Sequence, residues 1–233
     1  MKLNRPYNFR RPQDVKAKTW YSLKNVAAET VEVAIYDEIG YWGVTASDFV
    51  NELSGVDAKN ITLRVNSPGG DVFDGLAILN SLRNHPATVN VMVDGLAASA
   101  ASFIAMAGDS VTMAPNSMMM IHEASGLCMR NAVDMRELAD LLDKTSANIA
   151  DIYSRRSGRP ADEHRSAMRA ETWYSDQEAV DAGLADAVLG SDSQPENKAT
   201  SATIKAETGT ETVSWDDLDI DVEAIRSALK GVN

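Results

Sequence analysis

Ile61-Thr62-Leu63-Arg64-Val65, then Asn66-Ser67-Pro68-Gly69-Gly70, then Asp74 to Asn84 is the run whose reading decides the fold. Its first five residues alternate branched apolar with polar side chains, the period of a strand. Pro68 fixes its own φ and the two glycines allow positive φ, so the next five residues form a loop. Leu76, Leu79 and Leu82 then recur at helical spacing until Pro86 stops the helix. The same order repeats on both sides. Upstream, Thr30 to Tyr36 alternates with period two, Gly40 to Gly43 reads as a turn, and Thr45 caps a helix to about Leu53. Downstream come a strand from Thr88 to Val93, a turn at Asp94-Gly95 and an Ala-rich helix to about Ala107.

Strand-like runs Ser110–Met113 and Met118–Ile121 follow. A long helix from about Val133 to Ser154 carries Leu138, Leu141, Leu142, Thr145, Ile149 and Ile152 on one stripe, and Gly158 and Pro160 end it. Ala161 to Arg169 reads as a charged helix with His164 on a solvated face. Ser175-Asp176-Gln177-Glu178 is a capping box, Gly183 the stop of its helix, and Ala185 to Leu189 a last strand. Repeated strand-then-helix units predict an α/β fold, a mostly parallel sheet with helices packed on it.

The chain has 233 residues, 44% hydrophobic and 24% charged, enough apolar material for a real core. Its net charge of −12 disfavours broad electrostatic binding of nucleic acid or an anionic membrane. A single cysteine, Cys128, excludes an internal disulfide framework and a Cys-based zinc cluster. The most apolar stretch, Val89 to Gly108, is interrupted by Asn90 and Asp94, so no transmembrane span is expected. No apolar run follows the basic N-terminal residues, which makes the cytoplasm the expected location. Residues 1–17 read as an arm, 18–190 as the folded domain, and 191–233 as an acidic linker. The linker ends in a short amphipathic helix with Leu218, Val222, Ile225 and Leu229 on one face.

Two segments and one histidine are candidates for chemistry. In Asp94-Gly95-Leu96-Ala97-Ala98-Ser99-Ala100-Ala101-Ser102 a strand gives way to a helix, so Ser99 lies where backbone N–H groups are unpaired. A serine there has oxyanion donors beside it. The small residues equally fit close helix packing. The loop Asn66 to Asp71 has glycines able to present N–H groups to a carbonyl oxygen, or is a plain βα turn. No Lys-Ser/Thr follows those glycines, so it is not a phosphate loop, and no ATP-binding loop occurs anywhere in the chain. Of three histidines, His85 and His164 read as surface residues. His122 ends the apolar strand Met118 to Ile121, where it can face a cleft.

Taken together, NSPGGDVFDG, GLAASAASFIAMAG, MMMIH and ETWYSDQEAVDAGLAD resemble the ClpP-type serine peptidase family. With the opening KTWYSLKN and the segment YWGVTASDFVNEL, the likeness is closer to the ClpP-related head maturation (prohead) proteases of tailed bacteriophages. The resemblance spans about residues 18–190. It implies the ClpP/crotonase-like fold of repeated β-β-α units, with Ser99 as nucleophile, His122 as base and Glu171 as acid, where the degradative enzymes usually have Asp. It also implies an oxyanion hole from the backbone N–H groups of Gly70 and Ala100. Ser102 takes the place of a small packing residue. No cofactor and no metal is implied. The chain order Ser, His, Glu differs from that of chymotrypsin-like, subtilisin-like and α/β-hydrolase enzymes.

The resemblance further implies a homo-oligomeric ring, heptameric or double, with the helix from about Asn131 to Ser154 making contacts between rings. Its substrates are polypeptides. The phage likeness points to capsid or scaffold proteins cleaved in immature heads. The degradative branch would instead work with a separate ATPase. Crotonase-type acyl-CoA chemistry and an inactive scaffolding protein of the same fold are the alternatives. Keeping both Ser99 and His122 argues against each.

Overall fold

The computed structural model describes residues 21–27, 29–40 and 45–190. The arm, most of the Gly40–Gly43 turn and the acidic tail lie outside them. One eight-stranded sheet forms the frame. β2 (Thr30–Ile35), β3 (Asn60–Ser67), β4 (Thr88–Ala98), β5 (Ser110–Met113) and β8 (Ala187–Val188) lie side by side and parallel. β1 (Tyr21–Ala27) adds an antiparallel edge on β2. The sheet is therefore mostly parallel, as the repeated units require.

Alternation decides which side chains go inward. Val31, Val33 and Ile35 of β2, Ile61, Leu63 and Val65 of β3, and Val89, Val91 and Val93 of β4 are all buried. α1 (Ala46–Ser54) lays Phe49 and Leu53 on this layer, and α2 (Val72–Arg83) adds Ile78, Leu79 and Leu82. Both helices start on capping side chains. Thr45 and Asp48 form a reciprocal box, and Asp71 accepts from the N–H groups of Phe73 and Asp74.

The Asp94-Gly95 pair is not a turn. β4 runs through it to Ala98 and changes partner there: Asn90–Val93 pair with β5, while Leu96–Ala98 pair with β6 (Met118–Ile121). Two contacts explain why the chain does not reverse. Asp94 is held by Arg64 of β3 and by Tyr36, the residue after β2. A β-carbon at Gly95 would come 2.8 Å from Asn66 Oδ1, so glycine lets the Asn66 side chain lie against the strand there. The Ala-rich helix is correspondingly short, α3 (Ala100–Ala105), and every residue of it is buried.

The long helix α4 extends over Ala132–Ser157 and ends at Gly158, whose φ of 71° is left-handed. Only its second half is covered. Thr145, Ser146, Ile149, Ala150, Ile152 and Tyr153 are buried, while Val133, Met135 and Leu141 are exposed. α5 (Ala161–Arg169) follows. Contrary to expectation, His164 is not on a solvated face but buried. Its Nε2 lies 2.6 Å from Ser157 Oγ, and its ring packs beside Tyr153. β7 (Thr172–Ser175) then pairs antiparallel with β6, and α6 (Asp176–Asp181) starts on the Ser175–Glu178 capping box. The sequence pattern did not mark β1 or β7 as strands. No helix of the described residues is long and apolar enough to cross a membrane.

Candidate active site

The end of β4 delivers Ser99 in an unusual backbone conformation, φ 53° and ψ −121°. For a residue with a side chain this costs on the order of 1–3 kcal/mol and persists only where neighbours enforce it. Its N–H donates to Met120 O at 3.0 Å, which ties it to β6. Its carbonyl accepts from the N–H and the hydroxyl of Ser102, at 3.0 and 2.6 Å. The result is a side chain lifted out of the strand at the mouth of a pocket.

β6 ends one residue before His122, and that step carries the imidazole to the same mouth. His122 Nε2 lies 2.6 Å from Ser99 Oγ. A serine hydroxyl on a neutral imidazole nitrogen is the geometry from which the proton is removed as the oxygen attacks. Both residues are half-buried, so the pair is reached from outside yet backed by core.

The glycine loop sits across from this pair. Gly69 and Gly70 have φ of 96° and 148°, left-handed values open to glycine. A β-carbon at Gly70 would come 2.1 Å from Ile39 O. The hydrogen bonds of the loop use the N–H groups of Ile39, Gly69 and Asp71. The N–H of Gly70 is left over, and that of Ala100, first residue of α3, has no intrahelical acceptor. Gly70, Val72, Phe103, Ile149 and Tyr153 line the pocket together with Ser99 and His122. It encloses ≈ 80 Å³, the size of one side chain and well below that of a cofactor site.

Glu171 is placed differently. The β6–β7 register pairs Ile121 with Thr172, so the next pair in line would be His122 and Glu171. At that point the chain leaves the ladder, because Glu171 has a left-handed φ of 49° at the end of α5. Its side chain is exposed, and Oε1 accepts from Trp173 Nε1 at 3.5 Å. The structure thus brings Ser99, His122, Gly70 and Ala100 together and sets the Glu171 backbone beside them. It does not put the Glu171 carboxylate in hydrogen bonding with His122.

One neighbour escaped the sequence reading. Glu123, next to His122 and also lining the pocket, accepts from Arg165 Nε at 2.5 Å. Arg165 also donates to the Asp143 carboxylate at 2.6 Å and to its backbone carbonyl at 3.1 Å. The guanidinium thereby fixes the segment after His122 against α4, and two carboxylates around it push its pKa up. Nothing in the local sequence marks Arg165, since its partners lie 42 and 22 residues away. No group of side chains suited to a metal ion occurs among the described residues.

The chain is similar to known proteins. The model of the Clp protease family matches residues 15–192. An ATP-dependent Clp protease proteolytic subunit of Deinococcus radiodurans is 34% identical over 150 residues, covering 62% of this chain and 74% of that protein. One from Pleurastrum terricola is 33% identical over 134 residues, 57% and 68% of the two chains. The matched region contains the whole Ser99–His122 cleft, its glycine loop and the sheet that holds them, and on that extent of likeness the chain belongs to the Clp protease family.

Proposed function

We propose that the chain is a serine endopeptidase in which Ser99 is the nucleophile, His122 the general base and Glu171 the acid that orients it. The 2.6 Å contact between His122 Nε2 and Ser99 Oγ carries this reading. Ser99 Oγ attacks the peptide carbonyl while His122 takes its proton. The N–H groups of Gly70 and Ala100 receive the oxyanion of the tetrahedral intermediate. His122 then gives the proton to the leaving amine, and water, deprotonated by His122, hydrolyses the acyl-enzyme. The walls Val72, Phe103 and Ile149 suit an apolar side chain on the acyl side of the scissile bond.

The substrates are polypeptides and the active unit is a homo-oligomeric ring. A closed ring would cover the apolar residues that α4 and the preceding loop expose, Leu127 and Met129 above all, at 90% and 88% accessibility. The phage-like N-terminal segments favour capsid or scaffold cleavage during head maturation. The names of the curated relatives favour the second reading, a degradative subunit served by a separate ATPase. The site is tested with a fluorophosphonate probe on the full chain. Labelling at Ser99 that disappears in Ser99→Ala supports a peptidase; absence of labelling in the assembled protein returns the choice to acyl-CoA chemistry or a scaffold. Portal and major capsid genes beside this one would favour maturation, and an unfoldase gene would favour degradation.

A further inference from the structure

Behind Ser99 lie two hydroxyls that the reaction as written does not use: Tyr153, which lines the pocket, and Ser102 beside it. Ser102 and Tyr153 are buried, at 0% and 1% accessibility, and their oxygens lie 2.7 Å apart. A serine hydroxyl has one proton to give. Ser102 gives it to the Ser99 carbonyl at 2.6 Å, so the proton between the two hydroxyls must come from Tyr153. Burial holds the Tyr153 phenol far above the ordinary tyrosine pKa, and it stays a donor. The two protons therefore point the same way, from α4 to the backbone of Ser99.

That carbonyl shares a rigid planar unit with the N–H of Ala100, and the two point in opposite directions across it. Whatever fixes the Ser99 carbonyl fixes the Ala100 N–H. We propose that Tyr153 and Ser102 are positioning residues for peptide hydrolysis, a directional hydroxyl chain that aims the Ala100 N–H at the oxyanion. The proposal rests on the reading of Ser99 as nucleophile and of Ala100 as an oxyanion donor. Packing alone does not account for the pair. Alanine at 102 and phenylalanine at 153 would fill the same space without sealing two hydroxyls from water, and a buried hydroxyl is unfavourable unless it is hydrogen-bonded. The backbone also needs an external hold, because Ser99 sits at φ 53° without the freedom of glycine.

The test compares Tyr153→Phe, Ser102→Ala and the double variant with the unaltered full chain. Hydrolysis of a fluorogenic peptide is measured beside inhibition by a peptide boronate, whose boron becomes a tetrahedral anion on Ser99. Each single variant should lose about tenfold in kcat, part of the roughly 10²–10³ lost when an oxyanion donor is removed outright. KM should stay within about twofold, and boronate affinity should fall by the same factor as kcat. The double variant should be no worse than Ser102→Ala, because both groups act in one chain. Unchanged kcat in both single variants, additive losses in the double variant, or a kcat loss with undiminished boronate affinity overturns the proposal. Should Ser102→Ala fail to fold, Tyr153→Phe decides alone, since it deletes one oxygen and keeps the ring. Fluorophosphonate labelling separates the two levels. No label on Ser99 in the unaltered chain defeats the peptidase reading and this proposal with it, while labelling with unchanged kinetics defeats only the hydroxyl chain.

Discussion

A β-carbon on Gly69 would lie 2.7 Å from the β-carbon of Ser99. It would also come 2.6 Å from Ala98 O and 2.7 Å from Ala100 N, so the glycine loop and the serine turn touch through hydrogen alone. Gly69→Ala should therefore move the serine turn as well as strain its own φ of 96°. The expected cost is about 1–3 kcal/mol of stability. Peptidase activity should fall further than the unfolded fraction explains. Thermal unfolding and active-site titration on the same sample check this; near-normal turnover per folded subunit would show that the contact is not critical.

Glu171 combines a left-handed backbone with an exposed carboxylate held by one long hydrogen bond. Glycine is free of the backbone penalty there, so Glu171→Gly should raise stability by up to about 1 kcal/mol. The same change should abolish most activity. Glu171→Gln should lower kcat by roughly 10²–10⁴, and Glu171→Asp should keep more activity than Gln. Rotation about the three side-chain torsions of Glu171 is what would bring its carboxylate to the imidazole. Full activity in Glu171→Gln assigns the orienting role to another group.

Arg165 is the most heavily paired cation near the site, its side chain 13% exposed between Glu123 and Asp143. Arg165→Ala leaves the Glu123 carboxylate beside His122 without its closest cation. A loss of about 1 kcal/mol is expected, because Glu123 and Asp143 are 34% and 78% exposed and water can take the place of the guanidinium. Arg165→Lys should recover little of it, because an ammonium cannot serve both carboxylates and the Asp143 carbonyl in one plane. Denaturant midpoints of the three proteins rank the effect.

His164 gives stability a pH dependence. Desolvation lowers its pKa, the positive charge of Arg159 lowers it further, and Glu163 on its own helix opposes them. The folded state therefore takes up a proton less readily than the unfolded chain, whose histidine titrates near about 6.5. The stabilising contribution is complete above that value and is lost as pH falls through the depressed folded pKa. The melting temperature should decline on acidification from neutral pH, and His164→Gln should flatten the slope. Parallel slopes in both proteins would assign the dependence to other groups.

The acidic tail lies outside the described residues, and the Ser99–His122 site lies wholly before it. Truncation after Gly190 should leave hydrolysis of a short fluorogenic peptide unchanged and impair processing of the large natural partner. A folded, assembled and inactive truncation would make the tail part of the catalytic unit.

Local pattern alone determined much of this molecule. Period-two alternation marked β2, β3, the first half of β4 and β5, and an apolar run marked β6. Ser99 and His122 were singled out through the resemblance of four ordered motifs to the ClpP-type family, while Thr45 and Ser175 capped the helices they were expected to cap. The strands and caps depend on neighbours within a few residues, which is the range over which side-chain period and capping act. Tertiary structure decided the rest. Asp94-Gly95 became the middle of a strand because Arg64 and Asn66 of β3, and Tyr36 just beyond β2, meet it from elsewhere in the chain. His164, in a charged helix, was buried because Ser157 and Tyr153 of α4 lie over it. Arg165 came to Glu123 across 42 residues, and Tyr153 to Ser102 across 51. Partners so far apart in the chain are chosen by the packing of the sheet and α4, and no local pattern records that choice.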